Sequence, residues 1–88
     1  MKKISILGST GSIGLSTFEI INKKNFNVVL LSANKNYKLI SKQIIKYNPT
    51  YFIITDPIIY MNIKKKFKYK KVIILNNFND LKIVKSDI

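Results

Sequence analysis

The residues with the clearest chemical potential lie near the N-terminus, in the segment ILGSTGSIG at positions 6–14. Gly8, Gly11 and Gly14 are the only glycines of the 88-residue chain, and they recur every third residue. The segment stands between a short apolar run and a helical pattern, which is the context of a phosphate-binding turn. In such a turn, backbone amides and the positive end of the helix dipole bind the anion. We therefore interpret the glycine loop, residues 8–14, as a candidate dinucleotide-binding site.

Each glycine has its own predicted role in this loop. Gly8 would make the tight turn out of the strand, Gly11 would leave space for a pyrophosphate, and Gly14 would allow close packing of the helix. Three hydroxyl groups are additional donors for phosphate oxygens: those of Ser9, Thr10 and Ser12. The spacing is G-x-x-G-x-x-G rather than the commoner G-x-G-x-x-G, so a tight turn without a ligand is the alternative.

The segment after the second predicted strand bears on which dinucleotide is bound. NAD-binding domains usually carry an acidic residue there, about 20 residues beyond the loop, to hold the ribose 2′-hydroxyl. Here the segment reads SANKN, residues 32–36, and no acidic residue occurs between Glu19 and Asp56. A carboxylate would repel a 2′-phosphate whereas Lys35 attracts it, so the charge pattern favours NADP over NAD. The alternative is that Lys35 is one more solvated lysine.

Composition excludes several kinds of chemistry within these residues. The chain has no cysteine, no histidine and four acidic residues. It therefore has no hydrolytic Ser-His-Asp triad, no thiolate nucleophile and no Cys- or His-ligated metal. Any metal-assisted step would therefore need residues that this chain does not contain.

The net charge of +12 comes from sixteen lysines and no arginine. Lys, Asn, Ile, Phe and Tyr have codons rich in A and T, so a bias in base composition explains the lysines without a nucleic-acid partner. Arginine, which forks onto phosphates and guanine edges, is missing. We interpret the run KKKFKYKK, residues 64–71, as the solvated end of a helix, with Phe67 and Tyr69 turned to the core. The alternative is contact with a nucleic-acid backbone.

Hydrophobic patterning predicts alternating strands and helices. Four apolar runs are predicted strands: 4–7, 26–33, 51–55 and 72–75. Helices are predicted to begin at Ser12, after an N-cap at Asn36 and after an N-cap at Asp56. The second helix should end at Asn48 because proline follows, and residues 81–85 are expected to form a short helix. This order predicts that residues 1–88 form part of one α/β domain, with a Rossmann-like, doubly wound, mostly parallel sheet of which about four strands are present.

No targeting or membrane segment is predicted. The apolar stretch after Lys2 and Lys3 breaks at Gly8, which is too short for a signal peptide, and no later run reaches transmembrane length. This pattern indicates a soluble, cytoplasmic protein without a membrane partner. The alternation stops at residues 86–88, where another strand is due, so we expect the chain to be part of a longer domain.

A closer match than a shared fold lies in residues 2–21, KKISILGSTGSIGLSTFEII, which resemble the start of the 1-deoxy-D-xylulose 5-phosphate reductoisomerase family. The similarity continues through FNVVLLSANKN, QIIKYNPTYFIITD and VIIL, and covers nearly the whole chain. It implies an NADPH-dependent enzyme of non-mevalonate isoprenoid biosynthesis that rearranges and reduces a phosphosugar, 1-deoxy-D-xylulose 5-phosphate, to 2-C-methyl-D-erythritol 4-phosphate. It also implies a homodimer that uses Mg²⁺ or Mn²⁺.

The resemblance carries a set of cofactor-binding residues onto this chain: Thr10, Gly11, Ser12, Ile13, Asn34, Lys35 and Asn36. Asn34 stands where the family commonly has glycine. Because asparagine tolerates a left-handed backbone better than other non-glycine residues, we expect the turn to be retained. The family's metal ligands, substrate contacts and lid lie beyond these positions. The resemblance therefore implies an N-terminal fragment that lacks the catalytic and C-terminal domains and is inactive by itself.

Two other kinds of protein fit the same loop. One is another dehydrogenase with G-x-x-G-x-x-G spacing, such as a semialdehyde dehydrogenase or an extended short-chain reductase. The other is a non-catalytic basic module that binds nucleotides or nucleic acid. A downstream catalytic cysteine or tyrosine–lysine pair would indicate the first, and binding that weakens steeply with salt would indicate the second.

Overall fold

The computed structural model describes residues 2–21 and 26–79, without the side chains of residues 2, 12, 13, 20 and 21. Strands and helices alternate in the order β1 (Lys2–Ile6), α1 (Ser12–Ile21), β2 (Phe26–Ala33), α2 (Tyr37–Tyr47), β3 (Tyr51–Ile54), α3 (Pro57–Lys66) and β4 (Ile73–Leu75). The predicted element order is confirmed, and element ends differ from the prediction by one or two residues. The short helix predicted at 81–85 lies outside the described residues.

The four strands form one sheet in the order β1-β2-β3-β4. Every neighbouring pair is parallel, so the predicted α/β class and parallel sheet are confirmed. Because the strands follow chain order, this part of the sheet winds in one direction. The reversal of strand order that defines a doubly wound sheet does not fall between β1 and β4.

A bulge on β2 adjusts which side chains face the core. Ile4 pairs with Val28, but the next β1 residue pairs with Leu30, which leaves Val29 as the extra residue of the bulge. Side chains alternate along a strand, so the extra residue brings Val28 and Leu31 to the same face. Both belong to the hydrophobic core.

The core lies on the face of the sheet that α1, α2 and α3 all cover. Phe18 of α1, Ile40 and Ile44 of α2 and Ile63 of α3 pack into one cluster. The other buried members of the cluster are Ile4, Ile6, Val28, Leu31, Ala33, Phe52, Ile54, Phe67, Val72 and Ile74. Right-handed crossovers that advance in one direction place successive helices on the same face, which explains this arrangement.

Side-chain caps fix the starts of α2 and α3 where the sequence predicts them. The Asn36 side chain accepts a hydrogen bond from the Leu39 N–H at 3.2 Å, and that of Asp56 accepts one from the Ile59 N–H at 3.0 Å. At its other end, α2 stops at Asn48, whose φ of 47° is left-handed. The caps therefore fix the start of α2 directly after the segment that follows β2.

The basic run at 64–71 departs from the prediction at one aromatic residue. Phe67 caps the end of α3 and is buried, but Tyr69 is 90% exposed. The Lys68 ammonium lies 5.0 Å from the centre of the Tyr69 ring. The prediction that both aromatic residues face the core is correct for Phe67 and wrong for Tyr69. The helix ends at Lys66, so helical spacing no longer dictates the direction of Tyr69.

Candidate dinucleotide-binding site

The two predicted cofactor-binding segments lie at the same edge of the sheet. Strands β1 and β2 are adjacent and parallel, so the glycine loop after β1 and residues 34–36 after β2 follow neighbouring carboxyl ends. The Ser9 N–H donates to the Ser32 carbonyl oxygen at 2.7 Å. The Gly8 N–H donates to Ser32 Oγ at 3.0 Å. Ser32, near the end of β2, therefore holds the start of the glycine loop next to the start of the second segment, residues 34–36.

Two of the three glycines are required by the fold itself. Gly8 has a φ of 70°, a left-handed conformation that residues with a Cβ rarely adopt. A Cβ at Gly14 would lie 2.5 Å from the Gly8 carbonyl oxygen and 2.8 Å from Ser9 Cα. Such distances are too short for unbonded atoms, so the first turn of α1 packs directly on the loop. The close helix packing predicted for Gly14 is present.

Gly11 is different, because the described part of the fold does not require glycine there. A Cβ at Gly11 would meet the Gly8 carbonyl oxygen at 3.4 Å, which is close to an ordinary van der Waals contact. Among the described glycines only Gly8 has a positive φ. The backbone conformation at Gly11 is therefore one that residues with a side chain can also adopt. Gly11 is also exposed. Its missing side chain leaves room on the outer side of the loop, where a Cβ would obstruct a ligand that approaches the backbone.

The start of α1 offers backbone donors beside this space. The Gly11 carbonyl accepts the first helical hydrogen bond from the Leu15 N–H at 2.9 Å, while the Gly11 N–H donates to the Gly8 carbonyl at 3.0 Å. The amides of residues 12–14 occupy the first turn, where a helix provides no acceptor of its own. That turn contains no acidic side chain, so no carboxylate of the turn neutralises the positive end of the helix dipole. An anion is the chemical group that fits here.

The Ser9 side chain forms a hydrogen bond inside the fold and does not face a ligand. It is completely buried, and its hydroxyl donates to Gln43 Oε1 at 2.7 Å. Gln43 Nε2 donates in return to the Ser9 carbonyl at 2.9 Å. The prediction that the Ser9 hydroxyl donates to phosphate is therefore wrong. Thr10 is partly exposed in the turn and stays a candidate donor, whereas the Ser12 side chain lies outside the described atoms.

The second segment presents three exposed side chains, those of Asn34, Lys35 and Asn36. Asn34 Oδ1 accepts a hydrogen bond from Thr55 Oγ1 at 3.0 Å, and Asn36 Oδ1 caps α2. Among the described non-glycine residues only Asn48 has a positive φ. Asn34 therefore makes its turn without a left-handed backbone, so the tolerance of asparagine for that conformation is not needed here.

Sequence reasoning missed two residues that hold the glycine loop. Ser32 lies inside an apolar strand and gave no signal of its own. Gln43 is 4% exposed although it is polar, and it follows Ile40 by three residues and precedes Ile44. A polar residue within an apolar stripe at helical spacing is the signal that could have identified it.

A metal site requires grouped ligand side chains, and a membrane-spanning helix requires length and apolar character. Across residues 2–21 and 26–79, no three His, Cys, Asp or Glu side chains are grouped so that they could hold a metal ion. In the same ranges, no helix combines the length and the apolar character needed to span a membrane. Asp56 lies after β3 at the same edge of the sheet, and its carboxylate is engaged as the N-cap of α3.

Parallel β-α-β units with a glycine turn at the carboxyl edge define the Rossmann-like class of α/β domains. Within that class, the family model of 1-deoxy-D-xylulose 5-phosphate reductoisomerase matches residues 4–86. The chain therefore belongs to the 1-deoxy-D-xylulose 5-phosphate reductoisomerase family. This membership disfavours the other dehydrogenase families and the free-standing basic module.

Curated relatives of the same family match most of the chain. The reductoisomerase of Pelagibacter ubique is 47% identical over 83 residues, which cover 92% of this chain and 21% of the relative. That of a Thermoanaerobacter species is 42% identical over 90 aligned residues, which cover 99% of this chain and 23% of the relative. The chain thus spans about a fifth of the length of the curated relatives it matches.

Solved structures of the family share the fold. The reductoisomerase from Zymomonas mobilis in complex with NADPH has a TM-score of 0.76 at 30% identity, over 84% of this chain and 20% of that one. A reductoisomerase with fosmidomycin and magnesium has a TM-score of 0.77 at 25% identity, over 85% of this chain and 19% of that one. These similarities in backbone structure support the assignment of the chain to the Rossmann-like class.

Proposed function

We propose that this chain is the NADPH-binding part of a 1-deoxy-D-xylulose 5-phosphate reductoisomerase. The observation that carries the proposal is the exposed space, here called the gap at Gly11, that the missing side chain of Gly11 leaves beside the loop. Neither the backbone conformation of Gly11 nor its described neighbours require glycine, so the space is available to a ligand. The gap lies beside the first-turn amides of α1, which suit the diphosphate of a dinucleotide. A relative of this family has been solved with NADPH bound, which supports the same choice of cofactor.

The proposed contacts divide between the two segments. In the glycine loop, the diphosphate would contact the Thr10 hydroxyl and the backbone of Gly11, Ser12 and Ile13. In the second segment, the adenosine 2′-phosphate would contact the side chains of Asn34, Lys35 and Asn36.

Internal hydrogen bonds make the second segment a set of donors. Asn34 Oδ1 is occupied by Thr55 and Asn36 Oδ1 by the α2 amide of Leu39, so each side-chain amide keeps its Nδ2 hydrogens for another acceptor. Lys35 adds a positive charge between them. Two amide donors and an ammonium group, without a carboxylate in the segment, fit a phosphate better than a ribose hydroxyl.

In the whole enzyme, NADPH would supply the hydride for the reduction that accompanies rearrangement of 1-deoxy-D-xylulose 5-phosphate to 2-C-methyl-D-erythritol 4-phosphate. The residues of this chain would bind and orient the cofactor. The metal, Mg²⁺ or Mn²⁺, and the phosphosugar would be bound by parts that correspond to the remaining length of the relatives, one of which holds magnesium. On family membership we also propose a cytoplasmic homodimer in isoprenoid biosynthesis, without a nucleic-acid partner.

A titration of the purified chain with NADPH and with NADH tests the proposal. We expect saturable binding at one cofactor per chain, tighter for NADPH, with only a modest dependence on salt. Equal affinity for both cofactors would refute the 2′-phosphate assignment. Preferential binding to DNA that collapses with added salt would instead support the basic-module hypothesis.

An activity assay tests the division of labour. We expect no turnover of 1-deoxy-D-xylulose 5-phosphate by this chain with NADPH and Mg²⁺. Measurable turnover would show that residues of this chain carry out catalysis, and the proposed restriction to cofactor binding would be wrong.

A further inference from the structure

We propose that Gln43 is a positioning residue that holds the glycine loop in its binding shape, and that α2 thereby supports both ends of the cofactor. The inference rests on the proposed function for its effect on NADPH. The contact between Gln43 and the loop is independent of that function.

The geometry singles out Gln43 because its amide satisfies both polar groups of one loop residue. Gln43 Oε1 accepts from the Ser9 hydroxyl at 2.7 Å, and Nε2 donates to the Ser9 carbonyl at 2.9 Å. Both residues are buried, and they are 34 positions apart in the chain. Ser9 sits between the left-handed Gly8 and the exposed turn that leads to Gly11, so fixing Ser9 fixes the direction of the loop.

The opposite side of Ser9 is held by β2. The Ser9 N–H donates to the Ser32 carbonyl at 2.7 Å. The N–H, the carbonyl and the hydroxyl of Ser9 therefore all have hydrogen-bond partners. Buried polar groups are costly when they lack a partner. Without the Gln43 amide, the Ser9 carbonyl and hydroxyl would be buried without partners. The loop would then open more often to hydrate these atoms, and each opening would also break the bond between the Ser9 N–H and Ser32.

Helix α2 links this contact to the other end of the proposed site. Its N-cap is Asn36, a proposed phosphate contact, and Gln43 follows seven residues later, about 10 Å along the helix axis. Stacking of Tyr47 on Phe18, with ring centres 4.2 Å apart, anchors the same helix to α1. One helix therefore carries a contact for the 2′-phosphate and the support for the diphosphate loop.

Preorganisation predicts a specific pattern of binding. NADPH and NADH share the diphosphate, so a loosened glycine loop should weaken both by the same factor. Removal of the Lys35 charge should instead change the ratio between the two cofactors. The two effects distinguish a residue that shapes the loop from a residue that selects the cofactor.

The test compares Gln43→Met with Ser41→Ala in the full chain. Methionine keeps an unbranched side chain of similar length and removes both hydrogen bonds. Ser41 lies on the same helix and is equally buried, but its hydroxyl has no hydrogen-bond partner, so its loss should leave the loop unchanged. The readouts are hydrogen exchange of the Ser9 amide without cofactor and titrations with NADPH and NADH.

We expect Gln43→Met to speed exchange of the Ser9 amide about tenfold relative to the amides of the β2–β3 ladder, and to raise the Kd of both cofactors about tenfold. Ser41→Ala should match the unmodified chain. Unchanged Ser9 exchange, or a uniform increase across the sheet, would overturn the inference because Gln43 would then have no selective effect on the loop.

If Gln43→Met does not fold, Ser9→Ala gives the same test. It removes the hydroxyl contact but leaves α2 intact, so selective loss of protection at position 9 supports the inference and unchanged protection overturns it. A parent chain that binds neither cofactor would contradict the proposed function. Hydrogen exchange, measured without cofactor, would still decide whether Gln43 holds the loop.

Discussion

The two ends of the proposed site are built in opposite ways. At the glycine loop, Ser9 is completely buried and is hydrogen-bonded to both Ser32 and Gln43. The segment at 34–36 is exposed, and its side-chain bonds to Thr55 and to the α2 amide are solvent-accessible. In the proposed site, the first end would bind through backbone whose shape the core fixes, and the second would bind through exposed side chains.

This difference separates affinity from selectivity. Backbone donors in a fixed loop need little ordering when the diphosphate binds, so they can supply most of the affinity. An exposed lysine is screened by salt and contributes less, but it discriminates between a phosphate and a hydroxyl. Changes at the glycines should therefore have large effects, and changes at the second segment should have smaller effects that depend on salt.

The largest effect is expected from Gly14→Ala, which tests whether the fold requires a bare backbone at the helix–loop contact. The added Cβ would overlap backbone atoms of Gly8 and Ser9, so the cost of overpacking should lie at the upper end of its usual range, about 3 kcal/mol. Alanine recovers about 1 kcal/mol of helix propensity. We expect a net loss of about 2 kcal/mol, which lowers Tm by roughly 8–16 °C, measured by circular dichroism. A Tm equal to that of the parent would contradict direct packing of α1 on the loop.

Gly11→Ala should act on binding instead of folding. Its Cβ meets no described atom closer than 3.4 Å, so Tm should change by only a few degrees. The cofactor should bind about 10–100 times more weakly, since hydrogen bonds to charged groups contribute about 1.5–3 kcal/mol. Calorimetric titration with NADPH measures this effect, and Gly14→Ala is the reciprocal control for stability. An unchanged Kd would show that the gap at Gly11 is not used by the diphosphate.

Lys35→Glu tests the exposed end. We expect NADPH to bind about tenfold more weakly at low salt and NADH to be little affected, with the difference shrinking as salt screens the charge. Lys70→Glu is the matched control, because Lys70 is also exposed and gives the same change in net charge. Equal losses in both variants would indicate a general effect of charge rather than recognition of the 2′-phosphate.

The smallest effect is expected from Thr55→Val, which removes the hydroxyl that donates to Asn34 at 3.0 Å. Loss of one exposed hydrogen bond should weaken NADPH binding about twofold to threefold, near the lower limit for such contacts. Thr55→Ser keeps the hydroxyl and should bind like the parent. If Thr55→Val weakens NADPH and NADH equally, Thr55 does not orient Asn34 towards the 2′-phosphate.

The order of elements was predictable because its signals are local. Apolar runs marked the strands, and Asn36 and Asp56 are caps that act on amides three residues away. The packing role of Gly14 was predictable as well, since it follows from the strand–turn–helix geometry.

Contacts between distant parts of the chain were not predictable. The hydroxyls of Ser9 and Thr10 look equivalent in sequence, but a partner 34 residues away buries one of them. The strand order could not be predicted either, because hydrophobic periodicity indicates where a strand lies but not which strand it pairs with. Tyr69 lies just past the end of α3, where small differences in backbone direction decide whether an aromatic ring is covered.

The most direct test of the account is an NMR titration of ¹⁵N-labelled chain with NADPH. Binding of the diphosphate by first-turn amides predicts that the largest amide shift changes occur at residues 11–14, with smaller changes at 34–36 and none in the basic run at 64–71. Shift changes that are confined to 64–71, or that spare 11–14 at saturation, would contradict it.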